Sequence, residues 1–419
     1  MLYLRDATLI DWRTLRARRG PLAVEPGPSG GLRRLARLPA GAKALDCRGK
    51  LVTKSFVIAH HHLYSALATG MPPPSRAPKD FADMLGLVWW KLDRALDHAM
   101  VRACARAGAV EAAKCGATFI IDHHSSPNAA SGSLDVIAGA LEEIGLSHLL
   151  CLELSDRDGP RRREEGLAET ERYLRRRQGL VGLHASFTVS DLLLGRAVAL
   201  AAKQGTGLHV HAAEAPGDQK ACLRDHGCRV LERFQAAGAL SSPKTLLAHG
   251  LHLDKKERSL LSRSPAWLVQ NPESNQHNGV GALDAEGLPR LLLGTDGMHG
   301  DMLASARAAY LSGRARGQGT PLEAYRRLRR AHDYLAEGGF SGDGDNNLVV
   351  LDYAPPTPVR ADNWAAHVLY GLGRAHVCSV ISRGRLIVHG RRMVSVDEEA
   401  VRREARRQTE RLWRRLRMR

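Results

Sequence analysis

The 419-residue chain has little of what builds a membrane anchor or a disulfide scaffold. It contains no run of about 18 apolar residues, the length that a membrane-spanning helix requires. The amino-terminal stretch MLYLRDATLIDW lacks the basic-then-apolar layout of a secretory signal. Seven cysteines stand apart without a CxxC pair: Cys47, Cys104, Cys115, Cys151, Cys222, Cys228 and Cys378. Their odd number and wide spacing predict reduced thiols, and we expect a cytoplasmic protein with no membrane partner.

Acidic residues and aromatic residues are also scarce. Asp and Glu total 44 against 61 Lys and Arg, which gives a net charge of +17, and only 5% of the residues are aromatic. A basic balance can indicate nucleic acid or anionic substrates. The aromatic residues, however, do not alternate with the basic ones as they do on a single-strand-binding face. Arginine is instead spread through helix-like segments such as YRRLRRAHDYL, so we expect no nucleic-acid partner.

Short apolar runs alternate with longer amphipathic segments through the middle of the chain. Eight such runs follow one another from KSFVIAH to RLLLGTDG, separated by helix-like segments such as SLDVIAGALEEIG. This alternation indicates a parallel sheet, and eight units predict an α/β fold with a TIM-like (β/α)₈ barrel over residues 54–343. Residues 1–53 and 344–398 have the pattern of short strands and predict a small β-sandwich domain built from both chain ends. The sequence of residues 399–419 predicts a basic C-terminal helix, and it does not indicate what this helix does.

The apolar run FVIAHHH ends in three histidines. His60 and His62 are two positions apart on a predicted strand, so their side chains point the same way, while His61 faces the other side. The carboxyl ends of parallel barrel strands share one face, and that face carries the active site. The two imidazoles can share a metal there; the alternative is a polar strand end with satisfied hydrogen bonds.

Three further strand ends carry side chains that can belong to the same metal site. HVHAAE supplies His211 and Glu214, AHG supplies His249, and GTDG supplies Asp296. Imidazoles and a carboxylate form a site for Zn²⁺ or Fe²⁺ that leaves a position for water. A metal makes hydroxide available near neutral pH, and Asp296 can take the water proton. Glu214 lies past the strand end and can deliver a proton to a substrate atom.

These motifs resemble the amidohydrolase superfamily. HxH after the first barrel strand, HxxE at the fifth, AHG at the sixth, NPxSN at the seventh and GTDG at the eighth match its pattern in order. The branch it resembles contains the cytosine, guanine and S-adenosylhomocysteine deaminases and the triazine hydrolases. Within that branch, HHHLYSALATGM, WWKLDRAL, NPESNQHNGVG and GTDGMHGDM are most similar to the SsnA-type aminohydrolases. The resemblance covers nearly the whole chain, including the split β domain.

The resemblance implies a role for each matching residue. It implies that Glu214 is a proton shuttle, that His249 hydrogen-bonds the substrate or the attacking water, and that His184 touches the substrate. The strand-four segment GLVGLHAS has no lysine that could bridge two metals, so one divalent ion is implied, Zn²⁺ with Fe²⁺ as the alternative. The implied metal ligands are His60, His62, His211 and Asp296.

The chain departs from the family pattern at several places, among them Ile58, where a polar residue is often found two positions before His60. Lys54 and Ser55 replace the usual Pro-Gly before the first barrel strand, which can alter the turn without removing a ligand. His277, His299 and Asp301 add polar groups on the seventh and eighth loops. They either shape substrate choice or are solvated loop residues.

Four further positions are candidates with structural alternatives. Arg157 can hold an anionic or carbonyl group of the substrate through its planar guanidinium, or form a surface ion pair. His123 can line the pocket or have a hydrogen-bonded structural role. Trp89, with Trp90, can form a pocket wall, or belong to the core or a dimer contact. His209 lies two positions before His211 and is interpreted as a buried polar group one layer below the site.

The residues and the resemblance together predict hydrolytic deamination of a small-molecule nitrogen heterocycle. In this mechanism Asp296 holds the attacking hydroxide, Glu214 protonates the ring nitrogen, and His249 polarises the attacked carbon. A chlorohydrolase, an N-alkylamine hydrolase or a cyclic amide hydrolase is the alternative within the superfamily. An inactive scaffold is the second alternative. We expect a homodimer, the default for a soluble enzyme, and the sequence does not name the substrate.

Overall fold

The first part of the chain forms short strands, as its alternating pattern predicts. The structure is a computed structural model and describes residues 1–417. The positive φ of Asp6 (+52°) and Leu15 (+61°) falls where the first strand bulges and where it turns back. The strands of this segment are β1 (Leu2–Ile10), β2 (Ala17–Val24), β3 (Leu32–Arg34), β4 (Ala44–Asp46) and β5 (Leu51–Lys54).

Eight parallel strands follow, one for each predicted apolar run. Each pairs with the next along the chain. The amides of Thr295 and Asp296 donate to the carbonyl of His60 at 3.0 and 3.1 Å, so the end of the eighth strand meets the first and closes the barrel. The predicted (β/α)₈ fold is confirmed. The strands are β6 (Phe56–His61), β7 (Ala117–His124), β8 (Ser147–Leu154), β9 (Val181–Ala185), β10 (Leu208–Ala212), β11 (Leu246–His249), β12 (Trp267–Gln270) and β13 (Leu291–Leu293).

Helices surround the barrel and begin at residues that can cap them. Asp97 accepts a hydrogen bond from the amide of Met100, and Thr320 forms a capping box with Glu323. Such caps contribute about 0.5–2 kcal/mol each. The helices are α1 (Phe81–Met84), α2 (Trp90–Ala95), α3 (His98–Lys114), α4 (Ser133–Ile144), α5 (Gly159–Leu174), α6 (Asp191–Lys203), α7 (Pro216–His226), α8 (Val230–Ala236), α9 (Lys255–Arg263), α10 (Pro272–His277), α11 (Met302–Arg314), α12 (Pro321–Glu337), α13 (Trp364–Ala366) and α14 (Glu398–Arg417).

Apolar side chains fill the lower part of the barrel. Phe119, Leu149 and Trp267 are buried in one cluster with Tyr334 and Leu335 of α12. The Tyr334 hydroxyl donates to the carbonyl of Lys244 at 2.9 Å, just before β11 begins. The closed bottom leaves the carboxyl ends of the strands as the face open to a ligand.

The chain ends build the second sheet, as predicted. Its late strands are β14 (Leu348–Leu351), β15 (Val377–Ser382), β16 (Arg385–His389) and β17 (Arg392–Met393), and antiparallel pairing of β14 with β5 joins them to the early strands. The nine strands form one continuous mixed sheet with its own apolar cluster. The division into residues 1–53 with 344–398, 54–343 and 399–419 stays a prediction.

The predicted basic C-terminal helix begins within one residue of the expected start, at Glu398. Its last two predicted residues, 418 and 419, lie outside the described part of the chain. Leu412 is fully buried against the barrel side. Among residues 1–417, no helix is both long and apolar enough to cross a bilayer.

Lys54, which replaces the usual proline, forms a buried ion cluster at the bottom of the barrel. Its Nζ donates to the carbonyl of Asp343 (2.8 Å) and lies 3.3 Å from the Asp343 carboxylate. The same carboxylate accepts a hydrogen bond from Nδ1 of His332 at 2.7 Å, and Arg329 donates to the carbonyls of Lys54 and Ser55. Lys54, where the chain departs from the family pattern, therefore joins the barrel to the loop that leads into β14.

We expect Lys54→Met to lower the free energy of unfolding by about 3–5 kcal/mol, because it leaves a buried carboxylate without its cation. Urea unfolding measures this change. Lys50→Met is the matched control, since its ion pair with Asp352 lies at the surface, with side chains 25% and 49% exposed, and surface pairs contribute about 0–1 kcal/mol. Equal effects of the two substitutions would contradict a stabilising role for the buried cluster.

Candidate metal centre and active site

Four strand ends place polar side chains at the open face of the barrel. His60 and His62 come from the end of β6, His211 from β10, His249 from β11, and Asp296 follows β13. His249 and Asp296 have φ values of +76° and +53°, which non-glycine residues seldom adopt. Such strained backbone is typical of functional sites, where the surrounding structure holds it in place.

The three histidines that the motifs single out as ligands present the same nitrogen to one point. Nδ1 of His62 donates to the carbonyl of His123 (2.6 Å), and Nδ1 of His211 donates to the carbonyl of His184 (2.8 Å). Nδ1 of His60 lies 2.8 Å from a ring nitrogen of His209. In the neutral rings of His62 and His211 the Nε2 atom therefore carries a lone pair, and the same holds for His60 when its Nδ1 donates to His209.

These lone pairs fit a cation. Nε2 of His62 and Nε2 of His211 are 3.2 Å apart, and when both rings are neutral neither atom has a proton to share with the other. Two nitrogens at tetrahedral angles around one zinc ion lie about 3.3 Å apart, given bonds of about 2.0–2.1 Å. The buried Nε2 of His60 has no hydrogen-bond partner. A divalent metal would satisfy all three atoms.

Asp296 supplies the carboxylate of the cluster. Its Oδ1 lies 3.1 Å from Nε2 of His62 and 3.7 Å from Nε2 of His60. Its Oδ2 accepts a hydrogen bond from the Ser274 hydroxyl at 2.6 Å. Oδ1 thus faces Nε2 of His60 and His62, and Oδ2 faces Ser274.

Glu214 and His249 lie beside this cluster. Nε2 of His249 is 3.5 Å from Glu214 and 3.7 Å from Asp296, and the amide of Asn275 donates to its Nδ1 at 2.8 Å. The proton of the neutral His249 ring is therefore on Nε2, and burial lowers the pKa of that ring to about 3. Burial and the nearby Asp296 raise the pKa of Glu214 well above its usual value, so this carboxyl can hold a proton.

A cavity of about 830 Å³ opens above the cluster. Trp89 and Trp90 line it, together with His184, which agrees with the pocket-wall alternative for the tryptophans. His277 also lines it, whereas His299 pairs with Glu273 and Asp301 caps α11. Apolar walls with a few convergent polar groups are typical of small-molecule sites.

Arg157 lies in the cavity wall inside a buried ion cluster. Its guanidinium contacts Asp93, lies 3.2 Å from Glu153 and 3.1 Å from Asp158, and stacks over Trp90. Burial opposes the charge of Glu153, but the nearby His184 and Arg157 lower its pKa to about 2. A surface ion pair is therefore the wrong description of Arg157. Its predicted contact with substrate stays a prediction, since three carboxylates already share this cation.

His123 occupies a different place from the one predicted for a substrate contact. Its ring is fully buried behind the cluster, with centroids 4.7 Å from His211 and 5.4 Å from His62. Its Nε2 faces the carbonyls of Leu183 and His209. This placement corrects the expectation that His123 lines the pocket, because backbone acceptors hold the ring beneath the site.

The C-terminal helix supports the turn that follows His62. Nε1 of Trp413 donates to the carbonyl of Leu67 at 3.0 Å, and Leu67 ends the short 3₁₀ turn Leu63–Leu67. We expect Trp413→Phe to lower the free energy of unfolding by about 0.5–1.5 kcal/mol, since it removes this donor and keeps an aromatic ring. Urea unfolding measures the change. Arg414→Ala, on the exposed side of the same helix, should leave the stability unchanged, and a similar loss in both variants would refute the contact's contribution.

The fold and the cluster define a (β/α)₈ barrel protein with a metal-ligand set at its carboxyl-terminal face. The sequence model of the amidohydrolase family matches residues 51–327. The chain belongs to the amidohydrolase family and is a hydrolase, which confirms the resemblance seen in its motifs.

Individual relatives extend this similarity over the whole chain. A 5-methylthioadenosine/S-adenosylhomocysteine deaminase of Desulforudis audaxviator is 28% identical over 433 positions, which cover 94% of this chain and 95% of the relative. Among solved structures, a zinc-bound adenosine deaminase from Xanthomonas campestris has a TM-score of 0.82 at 18% identity, covering 98% and 99% of the two chains. The zinc complex of atrazine chlorohydrolase from Arthrobacter aurescens has a TM-score of 0.79 at 17% identity, covering 98% and 100%. The two solved structures show the shared fold.

Proposed function

We propose that the chain is a metal-dependent hydrolytic deaminase of an amino-bearing nitrogen heterocycle. One observation carries the proposal: three Nε2 lone pairs and the Asp296 carboxylate converge beside a protonatable glutamate and a proton-bearing imidazole. This set contains a metal site, a base and an acid within one cavity. Deaminase names among the relatives over most of the chain length support the same reaction.

The proposed metal ligands are Nε2 of His60, His62 and His211 with Oδ1 of Asp296. When bound, a divalent metal supplies Lewis-acid activation of water near neutral pH. Zn²⁺ is the proposed ion, since this donor set suits it and zinc occupies the related adenosine deaminase and chlorohydrolase structures. Fe²⁺ is the alternative that the donor types also suit.

The chain's own groups handle the protons. Oδ2 of Asp296, turned away from His62, takes the proton of the attacking water. Glu214 holds a proton because of its burial and delivers it to the ring nitrogen next to the amino-bearing carbon. The Nε2 proton of His249 points toward both carboxylates and donates to the oxygen that adds to this carbon. The proton held by Asp296 then passes to the amino group, the added hydroxyl returns a proton to Glu214, and the carbon–nitrogen bond breaks to release ammonia and leave a ring carbonyl.

Release of ammonia tests the proposal. The zinc-loaded chain is incubated with aminopurines, aminopyrimidines, adenine nucleosides and aminotriazines, and ammonia is measured with a coupled dehydrogenase assay. We expect release from at least one class, with a matching change in the ultraviolet spectrum of the ring. Release of chloride or an alkylamine from a triazine panel, without ammonia from any amino compound, would assign the chain to the other hydrolase activity.

The aromatic wall of Trp89 and Trp90 supports a planar heterocycle as the substrate, and His184 is proposed to contact it. The cavity exceeds the size of a bare ring, so a substituted ring such as a nucleoside also fits. The cytoplasmic location and the homodimer stay predictions.

A further inference from the structure

His209 connects a proposed metal ligand to the interior of the barrel. It lies on β10, two residues before His211, and is fully buried. One ring nitrogen, Nε2, lies 2.8 Å from Nδ1 of His60. The other, Nδ1, lies 3.7 Å from Sγ of Cys151, whose thiol in turn points to the carbonyl of Asp122 at 3.6 Å.

The donor and acceptor in each of these hydrogen bonds follow from the last acceptor of the series, the carbonyl of Asp122. The carbonyl of Asp122 can only accept, so the Cys151 thiol donates to it and accepts from Nδ1 of His209. Nε2 of His209 then carries a lone pair and accepts from Nδ1 of His60. The Nδ1 proton of His60 leaves its Nε2 free, in the direction of Asp296.

His60 differs in this respect from the two other proposed histidine ligands. His62 and His211 are oriented by the backbone carbonyls of His123 and His184, which no side-chain substitution removes. Only for His60, among these three, does a side chain fix the tautomer and the ring direction. Groups that orient a ligand in this way raise its basicity and its metal affinity.

We propose that His209 is a positioning residue of the metal centre, which holds His60 in the form that presents Nε2 to the metal. This inference rests on the proposed function, because it assumes that His60 is a ligand. His209 itself touches neither the metal position nor the cavity, so its effect is exerted through His60 alone.

The test measures Zn²⁺ affinity by competition with a chromophoric chelator, a readout that is independent of turnover. His209→Phe keeps an aromatic ring and removes the acceptor, and we expect about 10–100-fold weaker Zn²⁺ binding. His209→Gln restores an acceptor for the Nδ1 proton of His60. Because this contact is then partly kept, the Zn²⁺ affinity should return to within about threefold of that of the parent chain. The visible absorption of the Co²⁺-loaded chain should change in His209→Phe and recover in His209→Gln.

His124→Phe is the matched control. His124 is as buried as His209 and lies on β7, which pairs with the strand that carries His60, but its Nε2 bonds to Ser126 and not to a proposed ligand. His124→Phe should lose about as much unfolding free energy as His209→Phe but bind Zn²⁺ as tightly as the parent chain. An equal loss of affinity in both variants, or parent affinity in a folded His209→Phe, would overturn the inference.

A milder variant covers the case in which His209→Phe does not fold. Cys151→Ala removes the acceptor of the His209 Nδ1 proton, and we expect a smaller, severalfold loss of Zn²⁺ affinity. Unchanged affinity in this variant would overturn the inference. A parent chain that binds no Zn²⁺ would instead overturn the proposed function, so the two failures are distinguishable.

Discussion

Replacing Asp296 by asparagine should lower kcat by about 10³-fold or more, because the amide can neither take a proton nor supply a full ligand charge. The side-chain shape is kept, so the bond from the Ser274 hydroxyl and the approach to His62 can persist. The thermal unfolding midpoint should stay close to that of the parent chain. Steady-state ammonia release, with metal content measured on the same sample, checks the prediction.

Asp301→Asn provides the control for Asp296→Asn. Asp301 follows β13 on the same loop, but its carboxylate only caps α11 through the amides of Leu303 and Ala304. Asparagine caps helices about as well as aspartate, so this variant should keep full activity. Turnover above a tenth of the parent rate in a folded Asp296→Asn chain would refute the proposed role of this carboxylate.

Replacing Glu214 by glutamine should lower kcat by about 10²–10⁴-fold and leave the metal in place. The carboxyl lies 3.5 Å from Nε2 of His249 and beside the cavity. Burial raises its pKa, so the parent chain can hold a proton there at neutral pH, whereas an amide has no acidic proton to deliver. Ammonia release and metal content are again measured together.

Glu286→Gln serves as the control for the charge change, since Glu286 is an exposed residue of the loop before β13. It should behave as the parent chain in both measurements. Loss of metal from Glu214→Gln would make Glu214 a ligand, and parent-like turnover would exclude it as the proton donor. Either result would contradict the assignment.

The convergence of the proposed ligands could be predicted from the sequence for a geometric reason. Parallel strands in a barrel end on one face, so polar residues at the ends of apolar runs must approach one another. His60, His62, His211, His249 and Asp296 all belong to such ends. Two-residue spacing also placed His60 and His62 on one side of β6, because side chains alternate along a strand.

The cavity wall could not be predicted in the same way. Asp93 lies on α2 and Glu153 on β8, and their contact with Arg157 depends on loop paths that no local pattern fixes. His123 shows a related difficulty, because a polar residue at a strand end can turn toward the cavity or toward the barrel interior. Its ring turns inward to two backbone carbonyls, which the sequence does not reveal.

Locating the bound ion would test the central claim most directly. Crystals of the zinc-loaded chain, measured at the zinc absorption edge, should show one anomalous peak per chain. We expect it about 2.0–2.2 Å from Nε2 of His60, His62 and His211 and from a carboxylate oxygen of Asp296. A chain that takes up no ion, or a peak away from these four side chains, would contradict the account.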